Sequence, residues 1–223
     1  MPEDFEEMKK RLLNLSQKAT EDGDPLRWFE ELYENAERDC ELIPWATLEP
    51  NDVMMKWLDR RGLSGDALVV GCGLGDDAIG LENLGFNVTA FDLSASCIDW
   101  CKERFPNSTT KWLTEDLLDL PSSWKNKFDL VVEIHILQAI PSGGIRERGA
   151  AVLPSLLSQN GHLLCIGRLD DGNQQDMIPP PWPLEKKWLE QEFSSLKQES
   201  FELFNKQETP EIIRYVASWK KEF

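Results

Sequence analysis

The sequence predicts an α/β fold, a doubly wound and mostly parallel sheet of seven strands with an N-terminal helical cover. Two observations carry this prediction. From residue 67 onward, short apolar runs alternate with helical segments, which is typical of parallel βαβ units. Residues 1–62 instead carry apolar side chains at helical spacing, and no Gly/Ser-rich linker follows them. We therefore expect a single domain over 1–223, with the cover at 1–62 and the core at 63–223.

Turn and cap residues set the expected bounds of the elements in the core. The predicted strands are Ala67–Val70, Asn87–Phe91, Thr109–Leu113, Phe128–Ile134 and His162–Gly167, and the helices between them are Asp76–Leu84, Ala95–Phe105 and about Ile145–Gln159. A proline-rich lid is expected near 169–184, since proline has no N–H to contribute to a sheet. The last predicted elements are a helix over Glu185–Phe193 and two strands near Ser200–Phe204 and Ile212–Ser218, which can close the sheet as a hairpin.

A glycine-rich turn between the first two predicted strands indicates a ligand site. Gly71, Gly73 and Gly75 are two residues apart, so the backbone turns tightly and can approach a ligand closely. Asp92 lies 21 residues after Gly71, about where the acid that accepts ribose hydroxyls falls in nucleotide-binding βαβ units. The pattern predicts a cofactor that carries a ribose.

The residues after the glycines favour one cofactor over another. A dinucleotide site needs a glycine at the position of Asp76, and the carboxylates of Asp76 and Asp77 are expected to repel a pyrophosphate. S-adenosylmethionine has a ribose, an amino-acid end and a sulfonium cation, and it carries no phosphate. It is therefore the expected cofactor, and NAD with an oxidoreductase activity is the alternative.

Composition restricts the possible partners and location. The chain carries 40 acidic residues against 24 basic ones, a formal net charge of −16, which argues against binding to nucleic acid or to an anionic membrane. No targeting segment opens the chain and no apolar run approaches the ~20 residues of a membrane span, so we expect a cytoplasmic protein. The five cysteines form no C-x-x-C pair and no metal site is expected; they are interpreted as small buried side chains.

The order of these motifs resembles the class I S-adenosylmethionine-dependent methyltransferases, whose fold is Rossmann-like. The resemblance rests on the strand–GxGxG–helix–strand–Asp order, on Glu-Asp-Leu-Leu after the third strand, and on Phe-Asp-Leu-Val-Val-Glu at the fourth. The common form of that family has an acid at the position of Val69. The apolar-Gly-Cys-Gly-x-Gly-x-Asp loop is similar instead to the branch of thiopurine methyltransferase-like and halide/thiol methyltransferases, as are residues 128–140, 180–184 and Trp28…Pro44-Trp45.

The resemblance implies roles for the residues that line the cofactor. The backbone of Gly71, Cys72, Gly73 and Gly75 would approach its sulfonium and methionine end, with Glu133 nearby. Asp92 would accept both ribose hydroxyls, while Leu93 would lie against the adenine, Asp116 would accept from its amino group and Leu117 would pack beside it. Asp92 can also be interpreted as a helix cap, a role that Ser94 can fill instead.

The residues that would contact the methyl acceptor are predicted in less detail than those of the cofactor site. His135 at the end of the fourth strand is the candidate general base, with Glu133 two residues earlier on the same face, although a packed histidine remains the alternative. Trp45 and Trp182 are expected to wall the acceptor pocket, with packing in the core as the alternative. Arg146 and Arg148 can bind an anionic acceptor, but a solvated helix start is the favoured interpretation. The predicted partner is a small-molecule methyl acceptor, such as a thiol, a thiopurine-like compound or a halide. A non-catalytic protein that binds the cofactor is the remaining alternative.

Overall fold

The computed structural model describes residues 5–172, 180–206 and 212–222. Part of the predicted proline-rich lid, residues 173–179, lies outside the described residues. The helices are α1 (Phe5–Glu21), α2 (Trp28–Asn35), α3 (Asp52–Asp59), α4 (Asp76–Asn83), α5 (Ala95–Arg104), α6 (Ile145–Leu156) and α7 (Lys186–Glu192). The strands are β1 (Asp66–Val70), β2 (Asn87–Asp92), β3 (Lys111–Thr114), β4 (Phe128–Ile134), β5 (Leu157–Arg168), β6 (Lys197–Asn205) and β7 (Ile213–Lys220).

The strands form one sheet in the order β3-β2-β1-β4-β5-β7-β6. The first five strands run parallel, whereas β7 pairs antiparallel with both β5 and β6, so the predicted closing hairpin is confirmed. The strand order reverses next to β1, which lies between β2 and β4. In open α/β sheets this point, at the carboxyl ends of the strands, is where ligands bind.

Each face of the sheet is covered by its own hydrophobic layer. Alternation along β1 sends Leu68 and Val70 to the face packed by α6 and α7, and Ala67 and Val69 to the face packed by α3 and α4. A third buried cluster joins α2 to α5 and to Leu74 of the glycine-rich turn. The helical cover is thereby packed against the element that follows the first strand.

Several element bounds differ from the prediction, including the start of β5 at Leu157 rather than His162, and at two places a tertiary contact takes the residues concerned. The third strand begins at Lys111 rather than Thr109, since Thr109 and Thr110 hydrogen-bond the Glu82 carboxylate of α4. Helix α6 ends at Leu156 rather than Gln159, because Leu157 already pairs with Phe128 in the sheet.

Helix α3 of the cover begins with a side-chain cap. The Asn51 side chain accepts hydrogen bonds from the backbone N–H groups of Val53 and Met54, at 3.0 and 3.1 Å. Two otherwise unpaired N–H groups at the start of α3 are satisfied in this way. No helix in the described part of the chain is both long and apolar enough to cross a membrane.

Candidate active site at the carboxyl ends of the strands

The turn between β1 and α4 requires its glycines. Gly71, Gly73 and Gly75 have φ values of 58°, 52° and 88°, in the left-handed region that favours glycine. A Cβ on Gly71 would lie 2.4 Å from Ile136 Cδ1, and one on Gly75 would lie 2.7 Å from the Trp112 ring. The turn therefore has both the backbone conformation and the close packing that the glycine spacing predicts.

Asp92 ends β2 directly beside this turn. Its Oδ2 accepts from the Gly73 N–H at 3.1 Å and its Oδ1 from the Ser94 N–H at 3.0 Å. The Ser94 side chain caps α5 by accepting from the Cys97 N–H, so Asp92 is not needed as that cap. Each carboxylate oxygen has a second acceptor position, so the pair can still accept two hydroxyls. Burial raises the pKa of Asp92 to about 6.

The two acids Asp76 and Asp77, which were expected to repel a pyrophosphate, both have hydrogen-bond partners in the structure. Both Asp76 oxygens accept from the Arg104 guanidinium, at 2.8 and 2.9 Å, so this charge is neutralised. Asp77 Oδ1 accepts from the Asn51 N–H at 2.6 Å, and burial raises the pKa of Asp77 to about 6. Repulsion by two free carboxylates is therefore not what disfavours a pyrophosphate. The missing third glycine of the dinucleotide motif is the argument that remains.

The predicted adenine contacts occupy different environments. Leu93 is 38% exposed, so its side chain is accessible to a planar base. Asp116 Oδ1 accepts from the Leu118 N–H at 2.8 Å within the loop after β3. Leu117 is buried and packs 3.1 Å from the position of a Cβ on Gly149 in α6. The roles of these residues toward an adenine stay predictions.

His135 leaves the strand with φ 63° and bonds to Gln138. Its Nδ1 lies 2.9 Å from Gln138 Oε1, which also accepts from the Arg168 N–H, while Gln138 Nε2 donates to the Arg168 carbonyl. Because an amide oxygen only accepts, the His135 proton is assigned to Nδ1 and the lone pair to Nε2. Burial lowers the pKa of His135 to about 4. His135 is therefore neutral near pH 7 and only weakly basic.

Glu133 and His135, which are expected to act together, have separate hydrogen-bond partners. The Glu133 side chain is fully buried, and its Oε1 accepts from the Leu137 N–H at 3.0 Å. Among the described side chains, Glu133 Oε2 and the Tyr215 hydroxyl are two of the buried polar atoms without a hydrogen-bond partner. Burial raises the pKa of Glu133 to about 7. The role of Glu133 toward an acceptor or a cofactor stays a prediction.

The helical cover places aromatic rings over the glycine turn. Trp45 Nε1 donates to the Tyr33 hydroxyl at 2.8 Å, and both atoms lie within 3.7 Å of where a Cβ on Gly73 would be. The Trp45 ring is 40% exposed and meets Trp28 edge-on, with ring centroids 6.1 Å apart. No sequence motif singles out Tyr33, and the structure adds it to the candidate site.

Trp182, the second tryptophan expected to line the acceptor pocket, lies near the end of β4. The backbone N–H of Trp182 donates to the Gln138 backbone carbonyl at 2.7 Å. The Arg146 guanidinium carbon lies 5.7 Å from the centroid of the Trp182 ring. Arg146 is buried, its Nε donates to the Ile140 carbonyl, and burial lowers the pKa of its guanidinium. Arg148, one half-turn further along α6, is exposed instead.

Sequence reasoning missed a link between the cover and the cofactor edge. Glu30 of α2 accepts from the hydroxyls of Ser94 and Ser96 at 2.5 and 2.7 Å. These serines directly follow Asp92 in the chain, so α2 is held against the start of α5. A single glutamate on an amphipathic helix carries no sequence signal for such a long-range contact.

Comparison with known proteins agrees with this geometry. Residues 67–156 match the model of a family described as a methyltransferase domain. A probable thiol methyltransferase 2 from Arabidopsis thaliana is 28% identical over 130 residues. That match covers 55% of this chain and 55% of the relative, so the chain spans about half the length of the curated protein it matches.

Solved structures show the same fold. The N-methyltransferase NodS from Bradyrhizobium japonicum WM9, in complex with S-adenosyl-L-homocysteine, superposes with a TM-score of 0.68 at 18% identity, covering 86% of this chain and 99% of that one. A SAM-dependent methyltransferase from Methanosarcina mazei gives 0.65 at 15% identity, covering 78% and 98%. The chain therefore has the Rossmann-like fold of the S-adenosylmethionine-dependent methyltransferases, and the glycine turn, Asp92 and Arg146 all lie within its methyltransferase-domain match.

Proposed function

We propose that this protein is an S-adenosylmethionine-dependent methyltransferase acting on a small molecule. The observation that carries the proposal is the pairing of Asp92 with the Gly73 N–H at the carboxyl edge of the sheet. This pairing places a hydroxyl acceptor beside a left-handed glycine turn, inside the segment that matches the methyltransferase domain. The shared fold supports the same cofactor.

The residues of the site fit this cofactor in chemical type. Asp92 would accept the ribose hydroxyls, the backbone of the glycine turn would lie along the methionine end, and exposed Leu93 would contact the adenine. S-adenosylmethionine supplies an electrophilic methyl group on a sulfonium. Since its leaving group is already good, the protein has mainly to orient the acceptor and exclude water. The aromatic rings of Trp45 and Tyr33 over Gly73 suit a cationic neighbour.

We infer further that the acceptor is a soft nucleophile that arrives as an anion, such as a thiolate. His135 is too weakly basic, with its pKa near 4, to be an efficient acceptor for a thiol proton. Arg146 supplies positive charge under Trp182, and in the described part of the chain no carboxylate is paired with it. The thiol methyltransferase relative from Arabidopsis thaliana supports this acceptor class.

The cofactor is tested by calorimetric titration of the protein with S-adenosylhomocysteine, with NAD in parallel. We expect binding of S-adenosylhomocysteine alone. Binding of NAD alone would favour an oxidoreductase, and no detectable binding of either ligand would overturn the proposal. Binding without methyl transfer to any thiol or halide would favour a non-catalytic cofactor-binding protein.

The acceptor class is tested with two thiols of similar size, one ionised at the assay pH and one with a thiol pKa well above it. Arg146→Gln is expected to raise KM for the ionised thiol by about tenfold, since a charge-assisted hydrogen bond is worth ~1.5–3 kcal/mol. KM for the protonated thiol should change far less. Arg148→Gln is the matched control, because Arg148 lies on the same helix but is exposed. Equal effects of the two variants on both thiols would contradict an anion site at Arg146.

A further inference from the structure

Helix α5 turns one stripe of polar side chains toward the glycine turn. Cys97, Cys101 and Arg104 are spaced by four and three residues, so they share one face of the helix. Cys97 Sγ lies 2.9 Å and Cys101 Sγ 3.0 Å from the Gly73 carbonyl oxygen. Arg104 donates to the Leu74 carbonyl and binds both oxygens of Asp76. We call this set of three side chains the α5 clamp.

The α5 clamp completes the hydrogen bonding of the Gly73 residue. Asp92 accepts from the Gly73 N–H, and the Cys97 and Cys101 sulfurs lie at hydrogen-bond distance from the Gly73 carbonyl oxygen. Gly73 has φ 52° and lacks a side chain, so neither sterics nor packing of its own holds it in this conformation. External hydrogen bonds are therefore needed to keep the turn in one arrangement.

The protonation of the two thiols determines which of them can donate a hydrogen bond to Gly73. Burial raises the pKa of Cys97 well above its ordinary value, so its sulfur keeps the proton that it donates to Gly73. Contacts with Cys72 and Cys97 lower the pKa of Cys101, so Cys101 gives up its proton at a lower pH than Cys97 does, and Cys97 is the donor that persists. Within the described residues, no group of three or more cysteine, histidine or acidic side chains is arranged to hold a metal ion.

We propose that Cys97, Cys101 and Arg104 are positioning residues that hold the glycine turn in the conformation that binds S-adenosylmethionine. The inference rests on the cofactor assigned under the proposed function. These side chains lie behind the turn and act through its backbone. A turn held in this way has its N–H groups oriented before the cofactor arrives, so the affinity is not reduced by the cost of ordering it.

The test compares Cys97→Ala with Cys97→Ser. Alanine removes the donor, whereas serine keeps an O–H that can reach the same carbonyl. We expect Cys97→Ala to raise the Kd of S-adenosylhomocysteine about tenfold and Cys97→Ser to restore it to within about threefold of wild type. Calorimetry is run well below the unfolding temperature of every variant. Cys165→Ala, which removes a buried thiol from β5, two strands away from β1, is the control for loss of a sulfur in the core.

A second pair of variants tests the charged member of the clamp. Arg104→Lys keeps the charge opposite Asp76 but cannot form the same forked contacts with Asp76 and Leu74, so Kd should rise. Glu103→Gln removes the neighbouring ion pair with Arg38 and touches neither the turn nor Asp92, so Kd should stay at the wild-type value. If Cys97→Ala does not fold, Arg104→Lys and Glu103→Gln still test whether the α5 clamp affects the affinity for the cofactor.

The outcomes separate the clamp from the proposed function. Wild-type affinity in Cys97→Ala and Arg104→Lys would overturn the clamp while leaving the cofactor assignment intact. Equal weakening by alanine and serine at Cys97 would reduce the residue to a packing role and would likewise overturn it. A wild-type protein that does not bind S-adenosylhomocysteine would overturn the proposed function, and the clamp with it.

Discussion

The proposed cofactor side and the proposed acceptor side of the strand edge are built in different ways. Apart from the expected adenine contacts Asp116 and Leu117, the proposed cofactor side comes from one stretch, residues 66–104, in which β1, α4, β2 and α5 hydrogen-bond one another around the glycine turn. The proposed acceptor side is assembled from residues far apart in the sequence: Trp45, His135, Arg146 and Trp182. A site made by one continuous segment can be recognised from its spacing, whereas an assembled site depends on the tertiary fold.

The largest effect that this comparison predicts is at Asp92. Asp92→Asn removes the negative charge and places an N–H₂ group where one of the backbone N–H donors of Gly73 and Ser94 now points. Two charge-assisted hydrogen bonds to ribose are lost, so binding of S-adenosylhomocysteine should weaken by about 2–4 kcal/mol. Calorimetry measures the change. The exposed acid Asp119, in the loop after β3, provides the control variant Asp119→Asn. A folded Asp92→Asn protein with unchanged affinity would remove the central support of the cofactor side.

Glu133 lies at the boundary of the two sides and is predicted to affect stability rather than binding. Its folded-state pKa, raised by burial to about 7, exceeds the ordinary value of 4.5, so the fold disfavours the charged form. This cost is absent below about pH 4.5, grows as the pH rises toward 7 and is complete above it. Glu133→Gln should therefore stabilise the protein by about 1–3 kcal/mol at pH 8 and by little at pH 4.5.

Urea unfolding at the two pH values measures this difference. Glu34→Gln, at an exposed position of α2, is the control and should change neither value. If Glu133→Gln instead abolished methyl transfer while leaving stability unchanged, the carboxyl group would belong to the chemistry after all. The conclusion that Glu133 affects stability and takes no part in the reaction would then be wrong.

The affinity for S-adenosylhomocysteine should depend on pH through Asp92. The carboxyl group has its pKa raised to about 6 by burial, and ribose hydroxyls bind only its ionised form well. The affinity should thus be constant above about pH 7 and fall by about tenfold per pH unit below 6. Asp77 also has its pKa raised to about 6, but its carboxylate faces Asn51. Asp77→Asn should therefore keep the same profile, and a profile that becomes flat in that variant would assign the titration to Asp77.

The same contrast explains what could be predicted from the sequence. The glycine spacing and the acid at the end of the second strand predict the turn and Asp92, because both depend on local backbone geometry. The pairing of Asp76 with Arg104 and the burial of Glu133 could not be predicted, because each depends on which face of a helix or strand meets another element. Cys97 and Cys101 were expected to be buried, but their contact with Gly73 requires knowledge of where α5 packs.

The smallest predicted effect concerns His135 on the acceptor side. Asparagine tolerates the left-handed backbone at φ 63°, so His135→Asn should fold, and it should leave cofactor affinity unchanged. With one thiol that is ionised at the assay pH and another that is protonated, kcat should change by less than about threefold, since a general base contributes about 10²–10⁴-fold. His162→Asn is the control, because His162 pairs with Glu199 in another part of the sheet. A hundredfold loss of kcat confined to His135→Asn and to the protonated thiol would show that the imidazole removes the acceptor's proton, and the anionic acceptor would have to be replaced by a protonated one.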